Sequence, residues 1–433
     1  MEQITSETPE PVSVKPDENG GTGTEKANVE SPSPSPPVED YFAWLQALGA
    51  FCLNLNTWGL MNAFGAFQTF YELDLLSAKS PSDISWIGST QAFLMFILSA
   101  FVGPVVDAGF LRSLLILGSL LAILGMFMTS LCSQYWQVFL AQALTMGLGF
   151  GCLYVPAPAV VSQYFHRNTA LAMGVSSAGS AIGGVIYPII FARLQPRIGF
   201  GWATRVIGFI VLATSLFPVC LMKSKSPPTR QYNLLDRTTF TDAPYLLFNL
   251  GLIFGFMGFY IIFYYIELYA RQETSISPVL ATYLLVIINA SSLLGRVVIP
   301  FYADRIGSIN VQTLVALVGA VLTFSLLAIE NAPGLVVYSV IYGICAGAFM
   351  GLPAAGVVSL SADRSKIGAR LGMTLAVVGC GVLGSNPIAG AIVNGRGGWT
   401  GLITWCGALL TASFISMTAS RVCKIGPGFK KVI

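Results

Sequence analysis

From residue 41 to about residue 420 the chain is a series of long apolar runs broken by short clusters of charge, Pro or Gly. A bilayer core of about 30 Å needs about 20 apolar residues per helix, so each run predicts one membrane span. Twelve runs qualify. Six lie at 42–68, 84–106, 112–132, 135–161, 168–192 and 199–222, and six at 244–266, 278–301, 309–329, 333–358, 367–391 and 399–420. The predicted fold class is an all-α integral membrane protein, with twelve helices in two six-helix bundles related by pseudo-symmetry.

Composition agrees with that pattern. The chain is 54% hydrophobic and 10% charged, with a mean hydropathy of +0.71. A soluble domain of 433 residues carries far more charge. Residues 1–40 differ from the rest. They are rich in Pro, Ser, Gly and Glu, with nine acids against Lys15 and Lys26. Such a segment cannot bury a core and is expected to be a disordered acidic tail. It lacks the basic start and short apolar stretch of a cleavable signal peptide, so the first span itself is expected to direct insertion. The net charge of +3 is a sum of unlike parts, about −7 in the tail and +10 elsewhere, and implies no nucleic acid. Of the 23 Lys and Arg, 16 fall on the side that holds both termini, which the positive-inside bias makes cytoplasmic. The eight cysteines are scattered without C-x-x-C or paired spacing, so neither a disulfide framework nor a metal site is expected. The sequon at Asn289 falls inside a predicted span, out of reach of glycosylation.

The polar stretch 223–243 divides the twelve runs equally and predicts a cytoplasmic linker between bundles at 41–222 and 244–420, followed by a basic tail at 421–433. Features recur across it. Asp107 and Asp304, Pro156 and Pro353, and Ser162 and Ser359 are separated by one constant offset, and Gly174/Gly372 and Gly183/Gly381 by an offset one position longer. An ordered series of this kind predicts a duplicated six-helix unit, the architecture in which two halves rock about a site between them. Glycine-rich spans such as "GLGFGCLYVPAPA" and "GVSSAGSAIGG" allow close helix approach, which serves either sliding or static packing.

Three stretches go beyond architecture: "YFHRNTALAMGVSSAGSAIGG" at 164–184, "GPVVDAGFLR" at 103–112, and "YADRIG" at 302–307. Together they resemble the major facilitator superfamily and, within it, the monocarboxylate-porter family in its fungal form. The Y-F-x-(R/K)-x-x-A-x-(A/G) start of helix five is present as Tyr164, Phe165, Arg167, Ala170, Ala172 and Gly174, while the usual D-G-G-x-G-W opening is reduced to "EDYFAW" at 39–44. The resemblance covers essentially everything after residue 40. It implies secondary transport of a small organic solute through the bilayer by alternating access, with no cofactor; any accessory membrane protein is unknown.

Asp107 and Asp304, in tight cytoplasmic turns, are placed to cap the following helices and pair with nearby arginines, locking one conformation. Arg112, Arg305 and Arg167 are the candidate partners in this gate. The first turn departs from the superfamily pattern, with Ala108 where Arg or Lys is usual. The bland reading is ordinary loop charge. His166, the only histidine, has no partner at depth and is expected to be a surface residue.

Arg296 stands inside an apolar run, about 12 Å up its helix from Asp304 at 1.5 Å per residue. Burying it unpaired costs at least ~2.5–3.5 kcal/mol, so it is expected to face a polar or water-filled space. The acids after the tail all fall in loops or near helix ends, Glu267 coming closest to an exception. Arg296 must therefore be satisfied by Asn, Ser, Tyr or backbone groups, by water, or by a bound anion, whose carboxylate its guanidinium fork matches. The resemblance likewise implies a substrate-anion contact at this place in helix eight. Asn289 and Ser292 share its face. Proton-coupled animal members carry a lysine and an aspartate where this chain has Asn62 and Ser292, so their mode of proton symport is in doubt. Tyr154, Asn386, Asn54, Asn56, Gln91 and Tyr187 are further polar residues able to line such a cavity or simply to bridge helices.

The expected function is a transporter of a carboxylate-bearing metabolite at the plasma membrane, leaning slightly to efflux of a fungal secondary metabolite, with uptake of a monocarboxylate or vitamin as the alternative. A non-transporting membrane sensor is the alternative of another class. An intramembrane enzyme needs clustered acids, His or Cys at depth, which the sequence lacks, and no ATP-binding G-x-x-x-x-G-K-[ST] motif occurs.

Overall fold

The computed structural model of the chain describes residues 41–165, 169–225, 237–361 and 367–426, and these are helical almost throughout. Ten helices are long and apolar enough to cross a membrane. One of them, Thr169–Leu221, is two spans, because Gly199 at φ +79° turns the chain between them. One more span, at 41–75, is assembled from shorter segments. That makes twelve among the described residues. In chain order they are α1 (41–75), α2 (Pro81–Asp107), α3 (Leu111–Thr129), α4 (135–164), α5 (169–198), α6 (200–221), α7 (Ala243–Glu273), α8 (Pro278–Ile306), α9 (Ser308–Ser325), α10 (332–360), α11 (Ile367–Asn394) and α12 (Gly398–Ile425). The end of the bundle where α1 and α7 begin is the near face below, and the opposite end the far face.

The sequence starts its helices in recognisable ways. Ser80 and Asp83 form a reciprocal capping box ahead of α2, and Ser277 and Asn331 cap α8 and α10 before a proline in the first turn. Two helices are broken where the repeat places a proline. Pro156 starts the last segment of α4, and its repeat mate Pro353 starts that of α10. The two halves repeat at finer scale too. Ser162 donates to the carbonyl of Ala159 and Ser359 to that of Gly356, each at 2.9 Å. Leu117 and Leu124 on α3 are exposed, and so are Leu314 and Val321 at the same offset on α9. α3 and α9 thus turn an apolar stripe to lipid.

The glycine pairs carry the pseudo-symmetry into the packing. Gly174 on α5 lies against Val297 on α8, and its mate Gly372 on α11 lies against Ala100 on α2, both across the half interface. Gly183 meets Gly59 on α1, while Gly381 meets Ile253 on α7. Each half therefore presents equivalent helices, α5 and α11, to its own first helix and to the other half.

One helix end differs from expectation. α7 continues past 266 to Glu273, so Glu267 is inside the helix and only 3% exposed. Its Oε1 accepts from Arg271, one turn on, at 2.8 Å and from Thr282 of α8 at 2.7 Å. Internal pairing lets a charged turn continue a buried helix, which apolar run length alone does not register. The polar segments expected at 1–40 and in most of 223–243, together with His166 and Arg167, lie outside the described residues.

Candidate functional site: a buried arginine between the halves

Arg296 lies about five turns into α8 from the far face and about three turns from its near-face end. Tyr154 and Met350 stand at the same depth, about five turns into α4 and α10 from the far face. Ser180 is about three turns into α5 from the near face. Four helices thus bring these side chains to one level. Arg296 is 8% exposed. Its Nη1 donates to Ser180 Oγ across the half interface, and its Nη2 faces Met350 Sδ at 3.6 Å. Nε is buried without a hydrogen-bond partner in the protein. Tyr154 and Tyr260 stand close enough to interact with it electrostatically. Among the described residues no carboxylate pairs with it; Glu267 is held by Arg271 instead.

The surroundings are aromatic on one side and polar on the other. Trp58 is the hub, with ring centroids 5.6 Å from Phe96, 5.4 Å from Tyr154 and 6.3 Å from Tyr260. It belongs to a π-helical turn, Leu55–Gly59, a local widening that re-aims side chains and recurs at functional positions. Tyr260 and Tyr264, one turn apart on α7, are fully buried, and neither hydroxyl has a partner. Both amide atoms of Asn62 and Oδ1 of Asn289 are likewise buried and unpartnered. An unmade buried hydrogen bond costs about 1–3 kcal/mol, so this concentration of orphan donors and acceptors needs a reason beyond packing.

The sequence-predicted residues divide into three groups. Arg296 and Tyr154 are brought together, whereas Asn289, with its unpartnered Oδ1, lies about 10 Å along α8 toward the far face, and Asn62 carries two unpartnered amide atoms on α1. Ser292 is buried but turns its hydroxyl back onto the Asn289 carbonyl at 2.7 Å. Asn386 is elsewhere. It lies about two turns from the far-face end of α11, roughly 15 Å along the bundle from the Arg296 level at 1.5 Å per residue. There its amide meets Ser89 of α2 at 3.2 Å. Asn54, Asn56 and Tyr187 bridge helices within the first half: Asn54 donates to Ser176, and Asn56 joins Ser215, Thr214 and Tyr187. Gln91 is buried. Of the proposed gate, Arg112 is exposed and Arg305 lies over the Phe301 ring at 5.3 Å. The Asp107 and Asp304 side chains and Arg167 lie outside the described residues.

Sequence reasoning missed Ser180, Tyr260, Tyr264 and Trp58. One signal was available, the tyrosines spaced i, i+4 in "YIIFYYIELY".

On the far side the halves are closed on each other. Gln68 of α1 donates to Glu72 at 2.7 Å and to Ser85 of α2 at 2.8 Å, and Ser85 in turn bonds Tyr265 of α7. Ser82 donates to the Pro387 carbonyl of α11 at 2.8 Å. Gly65 and Gly88 let α7 approach so closely that a Cβ at either would overlap Phe263 or Tyr264.

These features match a known family and known folds. Residues 44–361 match the model of the Major Facilitator Superfamily. The chain is 43% identical over 376 residues to the "MFS-type transporter dbaD" of Emericella nidulans, covering 86% of this chain and 85% of that protein. It is 37% identical to the "Aspyridones efflux protein apdF" of the same organism, covering 82% and 73%. Its fold resembles that of a POT family transporter solved in complex with 5-aminolevulinic acid, at a TM-score of 0.70 and 13% identity over 91% of this chain and 99% of that one. The nucleoside transporter NupG aligns at 0.65 and 14% identity, covering 90% and 100%. With the family model and these relatives spanning most of its length, the chain belongs to the major facilitator superfamily and is a multi-pass membrane transporter of small organic solutes.

Proposed function

We propose that the chain exports a carboxylate-bearing metabolite, the solute's anionic group docking on Arg296 when the near face is open. The observation that carries this reading is the guanidinium itself, buried between the halves with Nε unpartnered and no carboxylate among the described residues to neutralise it. A carboxylate would complete the fork bidentately. Tyr260 would supply a further hydrogen bond at that level, Asn62 and Asn289 others toward the far face, and Trp58 an apolar face. The efflux direction draws support from apdF, a relative named for efflux of aspyridones. The motif at 164–174 supports placement in the fungal branch of the monocarboxylate-porter family. The Lys and Arg bias supports a cytoplasmic near face, and export out of the cell would require the plasma membrane. Asp107, Asp304 and their arginine neighbours remain the proposed near-face gate.

The test is an untargeted metabolite comparison, inside and outside cells, with and without the protein and with Arg296→Gln. At least one acidic solute is expected to accumulate inside cells that lack the protein or carry the variant. An unchanged distribution in the variant would remove Arg296 from the substrate site, and accumulation outside cells that lack the protein would reverse the direction.

A further inference from the structure

A second polar site lies well away from Arg296. At the far face a cleft of about 430 Å³ opens between the ends of α1 and α5 from one half and α7 and α8 from the other. Two nearly inaccessible acceptors line its inner wall. Glu267 engages Arg271 and Thr282 through Oε1, but its Oε2 is buried with no partner. The Thr69 hydroxyl, also 3% exposed, has none either. Glu267 Oε2 needs a hydrogen-bond donor, and the Thr69 hydroxyl can accept from the same one. The rim carries two cations and one acid. Arg193 and Arg197 are one turn apart on the last turns of α5 before Gly199, Asp74 stands at the end of α1, and Arg193 also donates to Tyr283 of α8 at 2.9 Å. Toward the bilayer centre the walls become apolar, with Ile189 on α5 and Val286 on α8.

That order selects a ligand. Apolar surface lies toward the bilayer, paired cations at the helix ends, and unfilled acceptors behind them, all at the depth of the lipid head groups. We propose that the cleft holds a phospholipid whose head group ends in a primary ammonium, as in phosphatidylethanolamine. Its phosphate lies on Arg193 and Arg197, its N–H groups reach Glu267 Oε2 and Thr69 Oγ1, and an acyl chain lies along Ile189 and Val286. A trimethylammonium has no N–H to offer those acceptors, and a glycerol head group offers only neutral hydroxyls, with no cation to neutralise Glu267. Because the walls come from both halves, the bound lipid bridges them while the far face is closed. This site is independent of the reading of Arg296.

The experiment is native mass spectrometry of the purified full-length chain after incubation in mixed micelles holding equal amounts of phosphatidylethanolamine, phosphatidylcholine and phosphatidylglycerol with identical acyl chains. Two extra hydrogen bonds predict retention of phosphatidylethanolamine about tenfold over phosphatidylcholine. Arg193→Gln/Arg197→Gln should abolish retention, and Thr69→Val should lower the ratio without touching a charge, each with an unchanged size-exclusion profile. Equal retention of the two zwitterionic lipids would overturn the proposal. So would preference for phosphatidylglycerol, the mark of a plain cation patch, or a preference that survives the double arginine substitution.

Discussion

Arg296→Gln is expected to leave a folded, membrane-inserted protein that barely transports. Removing one partner of a buried, hydrogen-bonded charge pair costs about 2–5 kcal/mol, which lowers transport at subsaturating solute by roughly 30-fold to over 1,000-fold. Folding should not suffer, because the substitution takes an unpaired charge out of the membrane interior. Arg296→Lys separates charge from shape. It keeps the cation but loses the planar fork that now reaches Ser180 and Met350, so it should fall between wild type and Gln. The check is initial-rate export of the solute identified by metabolite comparison, normalised to surface protein. A Lys variant as active as wild type would mean that the site reads only charge.

Gly183→Leu should act on the scaffold instead. A Cβ at Gly183 would overlap the Gly59 Cα and the Leu55 carbonyl, backbone atoms that cannot swing aside as a side chain can. Overpacking of this kind costs about 1–3 kcal/mol, occasionally more, and here it would force α1 and α5 apart beside Trp58. The melting midpoint in detergent should drop by several degrees and transport should be lost. Gly384→Ala is the contrast. Its added Cβ would meet only Ile388 at 3.8 Å, so its midpoint should stay near wild type. If the two variants melt alike, the close approach of α1 and α5 is not what holds that half together.

The architecture was legible because the bilayer imposes a length on apolar runs. All twelve spans were visible as such, and an Asp, a Pro and a Ser pair at one offset, with glycine pairs one position longer, exposed the duplication. Run length does not encode helix ends that carry paired charge, which is why α7 was cut short at the turn that holds Glu267 and Arg271. The site was legible at one residue. A lone arginine in an apolar run, with every acid accounted for, restricts its partners to neutral groups, water or an anion, and Ser180 is such a neutral group. The rest depends on which helix faces which. Asn386 and Asn289 look alike as polar interruptions of apolar runs, yet the register of α11 against α2 puts Asn386 in the far-face closure. Tyr260 and Tyr264 look like core aromatics until their hydroxyls prove unpartnered. That property exists only between elements, and no single run of sequence displays it.

If the halves rock about Arg296, the far-face contacts must break in every cycle. Ser82 of α2 and the Pro387 carbonyl of α11 are 2.8 Å apart in this closed arrangement. The direct test places Ser82→Cys and Pro387→Cys in a chain whose native cysteines are replaced, reconstitutes it in vesicles, and follows solute flux before and after a short, reducible bifunctional thiol reagent. Cross-linking is expected to stop flux and reduction to restore it, while each single-cysteine chain is unaffected by the reagent. Undiminished flux through a fully cross-linked chain would contradict alternating access between these two halves.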